Sequence, residues 1–375
     1  MQRFALVLFD QLQTRQIEVE ILRPEPFAAR NLQTHHGIGK WLSYIDKYVL
    51  FPRRLALRVR QLAGTRFVVH ICDHSNAPYA RRLVSSPHLV TCNDLIAIRS
   101  ALGEFPKNPT RWTGKQLQKM ILAGLNNARY VVAISEATRQ DVLRLAQLSL
   151  SRVDMIYMGL NYPYHPMPAD EARTSLAGLF SHRDPVLHPD GCFPPSFLLH
   201  VGGNQWYKNR LGLLRIYAAL RRINPDCPSL VLAGAPLPLE IIRFIADQGL
   251  NGSVRIIEAA RNEDLRALYS AALCVVFPST AEGFGWPIAE AQACGCPVIT
   301  TGRAPMTEVG GAAASYIDPA DVEASAVEIN RLLKESPDER TARVRLGVAN
   351  AGRFSTSGMI DKYVAIYEKL IGEPL

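Results

Sequence analysis

The sequence predicts an α/β protein of two domains, each built around a parallel sheet. With 375 residues the chain exceeds the usual size of one domain, and 48% hydrophobic residues suffice for two cores. Short apolar runs typical of strands buried on both faces alternate along the chain with helical patterns. The clearest unit, between residues 273 and 301, is a strand, a glycine-containing loop, a helix and a second strand.

The first half of the chain predicts one of these domains. Residues 3–13 have the apolar spacing of a helix, and residues 17–22 alternate as a strand does. Further strands are predicted at residues 66–72, 89–92, 130–134 and 155–157. Ser135 is placed to cap a helix over residues 136–145.

A segment rich in Pro, Asp, His and Gly follows residue 180 and lacks periodicity, which is typical of a linker. We therefore assign residues 1–183 to the first domain, 184–196 to the linker and 197–355 to the second domain. In the second domain, strands are predicted at residues 197–201, 229–233, 254–257, 273–277, 297–301 and 313–317, and helices from residues 209, 239, 262, 287 and 321. The last helical pattern covers residues 357–371.

The loop before the helix that starts at Pro287 has the features of an anion site. Gly283 and Gly285 let the backbone approach a ligand, and free N–H groups at a helix start suit a phosphate. Glu282 lies in the loop and Glu290 in the helix, with seven residues between them. Ionised carboxylates only accept hydrogen bonds and therefore suit pairs of sugar hydroxyls. The pattern predicts a diphosphate at the helix start, with one glutamate on a ribose and the other on a second sugar.

Residues 278–298 resemble the signature of the retaining GT-B glycosyltransferases of family 4, PS-x-x-EGFG-x-P-x-x-EA-x-A-x-G-x-PV. The resemblance implies that Glu282 holds hydroxyls of the donor sugar and that Glu290 holds the ribose of the nucleotide. It also implies that three backbone amides lie near the sugar and phosphate, those of Gly283, Phe284 and Gly285.

A second part of the resemblance lies after the strand at residues 197–201. The family has a glycine, a short loop and an Arg-Lys-Asn or Arg-Lys-Gly triplet here, and this chain has Gly202 and Gly203 followed by Tyr207-Lys208-Asn209. Lys208 therefore corresponds to the family's diphosphate contact, at a helix start that also favours an anion. Because Tyr207 replaces the usual arginine, a second positive charge must come from Arg210 or be absent. Alternatively, both cations are ordinary charges on a solvated first turn.

Two predicted strands of the first domain deliver polar residues to the sheet edge where α/β enzymes place working groups. Asp73 and His74 follow one strand, and Asn93 and Asp94 follow the other. The family usually has a His–Asp pair where this chain has Asn93 and Asp94, so no histidine role is carried over to position 93. His74 is then the better candidate for contacting the transferred sugar or the acceptor, with Asp73 and Asn93 on the acceptor side. A capping or structural role is the alternative for His74.

The resemblance implies two Rossmann-like domains facing across a cleft, with residues 356–375 as a terminal helix that returns to the first domain. In the family, a strand and a glycine-bearing loop precede the helix found here at residues 3–13, and both are missing from this sequence. Either the numbered start lies downstream of the natural one, or the protein has lost part of its N-terminal site. The first interpretation is favoured because the remaining motifs are intact.

The net charge, the length of the apolar runs and the cysteine spacing indicate which partners and which compartment to expect. The net charge of +8 favours an anionic partner, which could be a nucleoside diphosphate, an anionic lipid or a nucleic acid. No apolar run approaches the roughly 20 residues that cross a bilayer, and the basic start is not a signal peptide. The seven cysteines include no CxxC pair, which predicts core thiols in a reducing cytoplasm and no metal site.

Residues 40–66 combine basic and aromatic residues in an amphipathic pattern that could lie on an anionic membrane surface. The basic residues are Lys40, Lys47, Arg53, Arg54, Arg58, Arg60 and Arg66. The alternative, which Pro52 favours by interrupting any long helix, is a helix packed on the sheet with solvated arginines. No nucleic-acid-binding motif accompanies the stretch, so we predict no nucleic acid partner. The predicted location is the cytoplasm, with the inner membrane face as a candidate contact.

The resemblance implies transfer of a hexosyl group, preferably mannosyl or glucosyl, from a nucleoside-diphosphate sugar to a hydroxyl with retained anomeric configuration. The acceptor would be a glycan, a lipid-linked or a small molecule. Glu282, Lys208 and His74 are the candidate catalytic residues, and no metal or cofactor is expected because fixed protein charges stabilise the diphosphate. A nucleotide-sugar-binding partner subunit without turnover is the main alternative. A dinucleotide-dependent oxidoreductase ranks below both, because no G-x-G-x-x-G separates a strand from a helix.

Overall fold

The computed structural model describes residues 2–27, 37–180 and 194–374. Contacts divide the chain into two compact units, Met1–Asn161 with Thr356–Leu375, and Tyr162–Ser355. Each unit contains one parallel sheet, which confirms the predicted α/β fold class. Within the predicted linker, residues 184–193 lie outside the described ranges.

The first unit contains a four-stranded parallel sheet in the order β1-β2-β3-β4. Its elements are α1 (Gln2–Thr14), α2 (Gly37–Ile45), α3 (Phe51–Gln61), β1 (Val69–Ile71), β2 (His88–Cys92), α4 (Ile96–Ala101), α5 (Trp112–Asn126), β3 (Tyr130–Ala133), α6 (Glu136–Leu145) and β4 (Val153–Met155). Strands β2 and β3 are buried along their whole length, as their apolar runs predict. The Ser135 hydroxyl accepts a hydrogen bond from Thr138 N at 3.1 Å, which confirms the predicted cap of α6.

One strand predicted for this unit is absent. Residues 17–22 alternate in polarity but have no regular secondary structure and do not join the sheet. Glu20 instead accepts a 2.8 Å hydrogen bond from Arg58 of α3, and both side chains are substantially exposed. Alternation marks a strand only where a sheet offers a pairing edge, and this segment runs beside a helix instead.

The second unit contains a six-stranded parallel sheet in the order β10-β9-β8-β5-β6-β7. Its elements are α7 (Ala169–Phe180), β5 (Phe197–Gly202), α8 (Arg210–Ile223), β6 (Ser229–Gly234), α9 (Leu239–Asp247), β7 (Val254–Glu258), α10 (Asn262–Ala271), β8 (Cys274–Phe277), α11 (Trp286–Ala293), β9 (Val298–Thr301), α12 (Met306–Gly310), β10 (Ala314–Ile317), α13 (Val322–Leu333) and α14 (Pro337–Ala351). Side chains of α8, among them Leu214 and Leu220, pack with sheet residues such as Leu230 and Val276 in the core.

The division between the units differs from the predicted domain boundary. The sequence placed that boundary at residues 184–196, whereas the contacts divide the chain after Asn161. The reason is α7, an amphipathic helix that packs against α10 and so belongs to the second unit. Composition revealed the linker-like segment but gave no information about the partner of the helix before it.

A final helix, α15 (Thr356–Ile371), completes the first unit. A hydrogen-bonded cluster, partly buried at His70 and buried at Thr91 and Tyr363, joins it to the sheet. His70 Nδ1 lies 2.7 Å from Tyr367 Oη, and His70 Nε2 lies 2.7 Å from Thr91 Oγ1. Thr91 Oγ1 in turn lies 3.0 Å from Tyr363 Oη. Because each polar atom has a partner, the cluster fixes α15 on β1 and β2 without an unsatisfied buried group.

This cluster should make stability depend on pH. Burial lowers the pKa of His70 from 6.5 to about 3, so between these values the unfolded chain binds a proton that the folded chain does not. The His70 contribution is fully present above about pH 6.5 and is lost as the pH falls toward 3. Urea unfolding of the full chain from pH 7.5 to 4.5 should therefore show a flatter stability profile for His70→Gln than for the wild type. The difference should reach at most about 1.4 kcal/mol per pH unit, and parallel profiles would contradict the assignment.

Candidate active site

The candidate site forms where the two central strands of the six-stranded sheet end. Strands β5 and β8 are parallel neighbours, with Leu198 opposite Cys274 and Leu199 opposite Val275. Their carboxyl ends therefore lie side by side and carry the loops at residues 203–209 and 278–285. The first loop leads into α8 and the second into α11. This arrangement places the two predicted donor motifs, far apart in sequence, at one edge of the sheet.

Hydrogen bonds tie these two loops together. Thr280 N donates to Tyr207 O at 2.8 Å, and Asn209 Nδ2 donates to Pro278 O at 3.2 Å. Asn209 precedes α8 with a left-handed backbone, at φ 54°, which asparagine tolerates better than most residues. The backbone on either side of Lys208 is thus fixed against the loop that carries Glu282.

Lys208 and Glu282 form a direct ion pair. Lys208 Nζ lies 2.7 Å from Glu282 Oε1, with only 16% and 8% of the two side chains exposed. The ammonium also lies 5.0 Å from the ring centroid of Phe277, in cation–π range. A charge-assisted bond in this sheltered place is strong, and removing either partner would leave a poorly solvated charge. The structure therefore brings together the predicted diphosphate contact and the predicted sugar contact.

Arg210, the predicted source of a second positive charge, forms hydrogen bonds with oxygen atoms of the protein. Its guanidinium donates to Gly202 O at 2.6 Å, to Ala235 O at 2.9 Å and to Asn204 Oδ1 at 2.6 Å. Burial lowers the pKa of the Arg210 guanidinium below its ordinary value. The side chain thus holds the ends of β5 and β6 in place, whereas Lys208 is the cation that contacts Glu282.

Gly234, at the end of β6, makes this arrangement possible. A Cβ at this position would lie 1.9 Å from Gly202 O and 3.0 Å from the Arg210 guanidinium, and the backbone has φ +142°. We expect Gly234→Ala to lower the free energy of unfolding by about 2 kcal/mol or more, through overpacking and backbone strain. Gly352→Ala is a matched control, because no atom lies within 4 Å of its added Cβ. Urea denaturation checks both variants, and equal small effects would contradict this account.

Glu290 is held inside the second unit by a tyrosine. Tyr269 Oη of α10 donates to Glu290 Oε2 at 2.8 Å, and both side chains are buried. Burial, reinforced by the Glu290 carboxylate, raises the pKa of Tyr269 well above its usual value, so the phenol remains a donor. Gly285 precedes α11 at φ 107°, and Phe284 packs edge-on against Phe354 at 5.3 Å. These contacts fix the start of α11, where the sequence predicts the diphosphate.

Four buried polar atoms near this edge have no hydrogen-bond partner within the described ranges. They are His200 Nε2, Arg210 Nε, Ser279 Oγ and Trp286 Nε1. Ser279 belongs to the loop after β8, and Trp286 is the first residue of α11. Leaving such atoms unpaired is costly, so their concentration at one place is typical of a site that binds a polar ligand. Sequence analysis identified Arg210 but not His200, Ser279 or Trp286. The only signal for His200 was a polar side chain within an apolar strand.

The first-unit candidates lie at the ends of β1 and β2, which are adjacent. Asp73 Oδ1 accepts from Ser75 N at 2.9 Å and caps the 3-10 segment His74–Arg82. His74 is buried, with its Nδ1 3.6 Å from Asp73 Oδ1, and Asn93 is buried after β2. Sequence analysis missed Lys47 as a neighbour: burial lowers its pKa, while the Asp73 charge raises it. The structure thus places all three predicted acceptor-side residues at one sheet edge.

In the described part of the chain, no group of three or more His, Cys, Asp or Glu side chains could hold a metal ion. The same residues include no helix long and apolar enough to span a membrane. The absence of a cofactor remains a prediction.

Two parallel-sheet units, and a strand–loop–helix site with paired acidic and basic residues, are typical of nucleotide-sugar glycosyltransferases of the GT-B class. Residues 194–347 match the family described as glycosyl transferases group 1, and residues 1–162 match glycosyltransferase family 4. The chain belongs to the group 1 glycosyltransferases of family 4. This confirms the family inferred from residues 278–298, and the retaining mechanism stays a prediction.

Two relatives illustrate the range of the family. The O-antigen chain mannosyltransferase B of Escherichia coli is 28% identical over 332 residues, which cover 87% of this chain and 80% of the relative. The D-inositol 3-phosphate glycosyltransferase of Mycolicibacterium smegmatis is 25% identical over 305 residues and 78% of this chain. The present chain spans only 64% of the length of that second relative.

Solved structures show the same fold. Sucrose-phosphate synthase from Thermosynechococcus elongatus has a TM-score of 0.67 at 20% identity, covering 86% of this chain and 79% of its own. Anabaena HepE, in complex with UDP and glucose, has a TM-score of 0.67 at 18% identity, covering 95% and 88%. At these identities the likeness establishes the GT-B fold alone.

Proposed function

We propose that the chain transfers a hexosyl group, mannosyl in preference to glucosyl, from a nucleoside-diphosphate sugar to a hydroxyl with retained anomeric configuration. The acceptor is a glycan, a lipid-linked or a small molecule. The observation that carries the proposal is the 2.7 Å pair of Lys208 and Glu282 beside the start of α11. The mannosyl preference is supported by the Escherichia coli relative, which is named a mannosyltransferase.

The donor diphosphate would bind at the start of α11. Lys208 and the positive end of the α11 helix dipole supply positive charge, and Trp286 Nε1 and Ser279 Oγ supply unpaired polar groups. Glu282 has a second carboxylate oxygen besides the one that Lys208 contacts, and it accepts a hydroxyl of the donor sugar. Glu290 takes the ribose hydroxyls.

In the proposed reaction, the acceptor oxygen bonds to the anomeric carbon as the bond from that carbon to the diphosphate oxygen breaks. The departing phosphate accepts the acceptor proton, on the same face of the sugar, so the configuration is retained. The growing charge on the diphosphate is stabilised by Lys208 and the helix start, at about 3 kcal/mol for each strong donor. His74, Asp73 and Asn93 would contact the acceptor or the transferred sugar.

The test is donor binding followed by turnover. Thermal shift with GDP, UDP and ADP identifies the base, because a ligand that binds the folded chain raises the Tm. Nucleotide release from GDP-mannose and UDP-glucose then measures turnover, and NMR of the product gives the anomeric configuration. Binding without turnover of any donor and acceptor would favour a partner subunit, whereas an inverted product would reject the retaining mechanism.

We further propose that the helical stretch of α2 and α3 contacts an anionic membrane surface. Support comes from exposed apolar side chains beside exposed arginines: Leu57 is 58% exposed and Val49 is 42% exposed, close in sequence to Arg53 and Arg60. Peripheral helices bind membranes by two forces, burial of apolar groups in the interface and attraction between basic residues and anionic headgroups. The exposed residues of this stretch can supply both.

Co-sedimentation with vesicles tests this contact. Arg53→Glu should weaken binding to phosphatidylglycerol vesicles by about 30-fold, since it removes one attraction of about 1 kcal/mol and adds a repulsion of about the same size. Arg345→Glu, an exposed charge change of the same size on α14, is the control and should have little effect. Equal loss in both variants would indicate non-specific charge attraction and reject the proposed contact.

A further inference from the structure

We propose that His200 is a positioning residue for Lys208, accepting a hydrogen bond from the lysine ammonium when the donor diphosphate is bound. The inference rests on the proposed function, because it assigns Lys208 to the diphosphate. His200 lies in β5, two residues before its end, and is 0% exposed. Its ring stacks on Phe277 of β8, with centroids 6.2 Å apart and planes at 25°.

The hydrogen bonding of His200 fixes its tautomer. Nδ1 lies 3.0 Å from Val276 O, and because a carbonyl oxygen only accepts, Nδ1 carries the proton. Burial, opposed by the Val276 hydrogen bond and assisted by the charges of Arg210 and Lys208, lowers the pKa of His200 to about 3. At neutral pH the ring is uncharged, and Nε2 presents a lone pair that has no partner within the described ranges.

Lys208 lies within reach of this lone pair because Gly202 has no side chain. A Cβ on Gly202 would lie 3.2 Å from His200 Nε2 and 3.5 Å from Lys208 Cδ. The imidazole nitrogen and the lysine side chain therefore both lie close to Gly202, where a side chain would come between them. The ammonium already lies over Phe277, the ring on which His200 stacks. We expect rotation about the last bonds of Lys208 to bring Nζ toward Nε2 without a backbone change.

The proposed hydrogen bond to His200 would orient the Lys208 ammonium and leave its positive charge intact. An ammonium has three N–H donors, and in the structure one reaches Glu282. With a donor bound, Glu282 is needed by sugar hydroxyls and a second N–H is directed at the diphosphate. A neutral imidazole orients the ammonium without cancelling its positive charge, which a second carboxylate would do. The full charge then stays available to the leaving group.

A double-mutant cycle tests the proposal through binding of GDP, UDP and ADP, measured by calorimetry on the full chain. H200F keeps a stacked ring but cannot accept a hydrogen bond, and it should weaken binding about fivefold to tenfold. H200Q offers an oxygen near the place of Nε2 and should stay within about twofold of the wild type. In the K208A background, H200F should cause no further loss, because the group that it positions is gone.

The other possible outcomes distinguish a failure of this inference from a failure of the proposed function. If GDP, UDP and ADP all fail to bind the wild type, or if K208A binds as tightly as the wild type, the proposed function fails. If K208A weakens binding and H200F does not, the inference fails and the function stands. If H200F weakens binding equally with and without Lys208, His200 acts structurally or contacts the ligand directly, and the inference is rejected.

Nitrogen NMR of histidine-labelled protein gives a readout that does not depend on whether H200F folds. Saturating GDP, UDP or ADP, whichever binds, should shift the His200 Nε2 resonance upfield in the wild type, as an accepted hydrogen bond does. The shift should be absent in K208A at saturation. An unchanged Nε2 resonance in the wild type would overturn the proposal.

Discussion

Replacing Lys208 with alanine is expected to lower kcat by about 100-fold to 1,000-fold, the loss typical of a strong electrostatic donor at a developing charge. Two effects combine. The diphosphate loses the ammonium that stabilises its departure, and Glu282, which is 8% exposed, loses its 2.7 Å partner. Nucleotide release from GDP-mannose and UDP-glucose measures the effect, and Lys208→Arg should recover only part of the loss because the planar guanidinium fits this geometry poorly.

Lys334→Ala is the matched control for this change. Lys334 is an exposed lysine at the end of α13 in the same unit, so its removal should leave kcat within about twofold of the wild type. A kcat for Lys208→Ala within threefold of the wild type would remove the lysine from the mechanism. Urea unfolding of both variants shows whether a lower kcat is accompanied by a lower free energy of unfolding.

Substitutions of the two glutamates should affect different quantities, the Kd for the nucleotide in one case and kcat in the other. Glu290→Ala is expected to weaken nucleotide binding by about 10-fold to 100-fold, because it removes a charged acceptor from the ribose. Glu282→Ala should mainly lower turnover, by about 100-fold, with the Kd for the free nucleotide changed less than threefold. Calorimetry with the nucleotide and kcat with the donor sugar give the two readouts.

Tyr269→Phe provides the control for Glu290, because it removes the 2.8 Å hydrogen bond and keeps the carboxylate. It should weaken nucleotide binding less than Glu290→Ala does. If Tyr269→Phe and Glu290→Ala have the same effect, the loss comes from packing of α10 on α11. Equal and negligible effects of both glutamate changes would contradict the assigned roles.

The sequence predicted the elements around the site to within about one residue, because their signals are local. The helix predicted from Pro287 begins at Trp286, and the strand predicted at residues 297–301 is β9, Val298–Thr301. Pro at the helix start and uninterrupted apolar strands depend on no distant partner. The same locality explains the correct cap of α6 at Ser135.

The signals that failed or were missing depend on distant contacts. Residues 17–22 alternate in polarity but meet a helix instead of a sheet edge. The role of Arg210 is set by carbonyl groups at Gly202 and Ala235, and only the folded sheet brings these together. The unpaired Nε2 of His200 is likewise visible only once Val276 is seen to occupy Nδ1. Spacing in the sequence carries no information about such pairings.

Strands β5 and β8 lie in the part of the sheet that is most resistant to local unfolding. They are the two middle strands of six, with β10 and β7 at the margins. Local fraying begins at margins and exposed ends, while backbone amides at the centre of a sheet exchange with solvent only during larger openings. Lys208 and Glu282 are thus attached to the part of the sheet that opens last, so their spacing should survive fluctuations that loosen the outer strands.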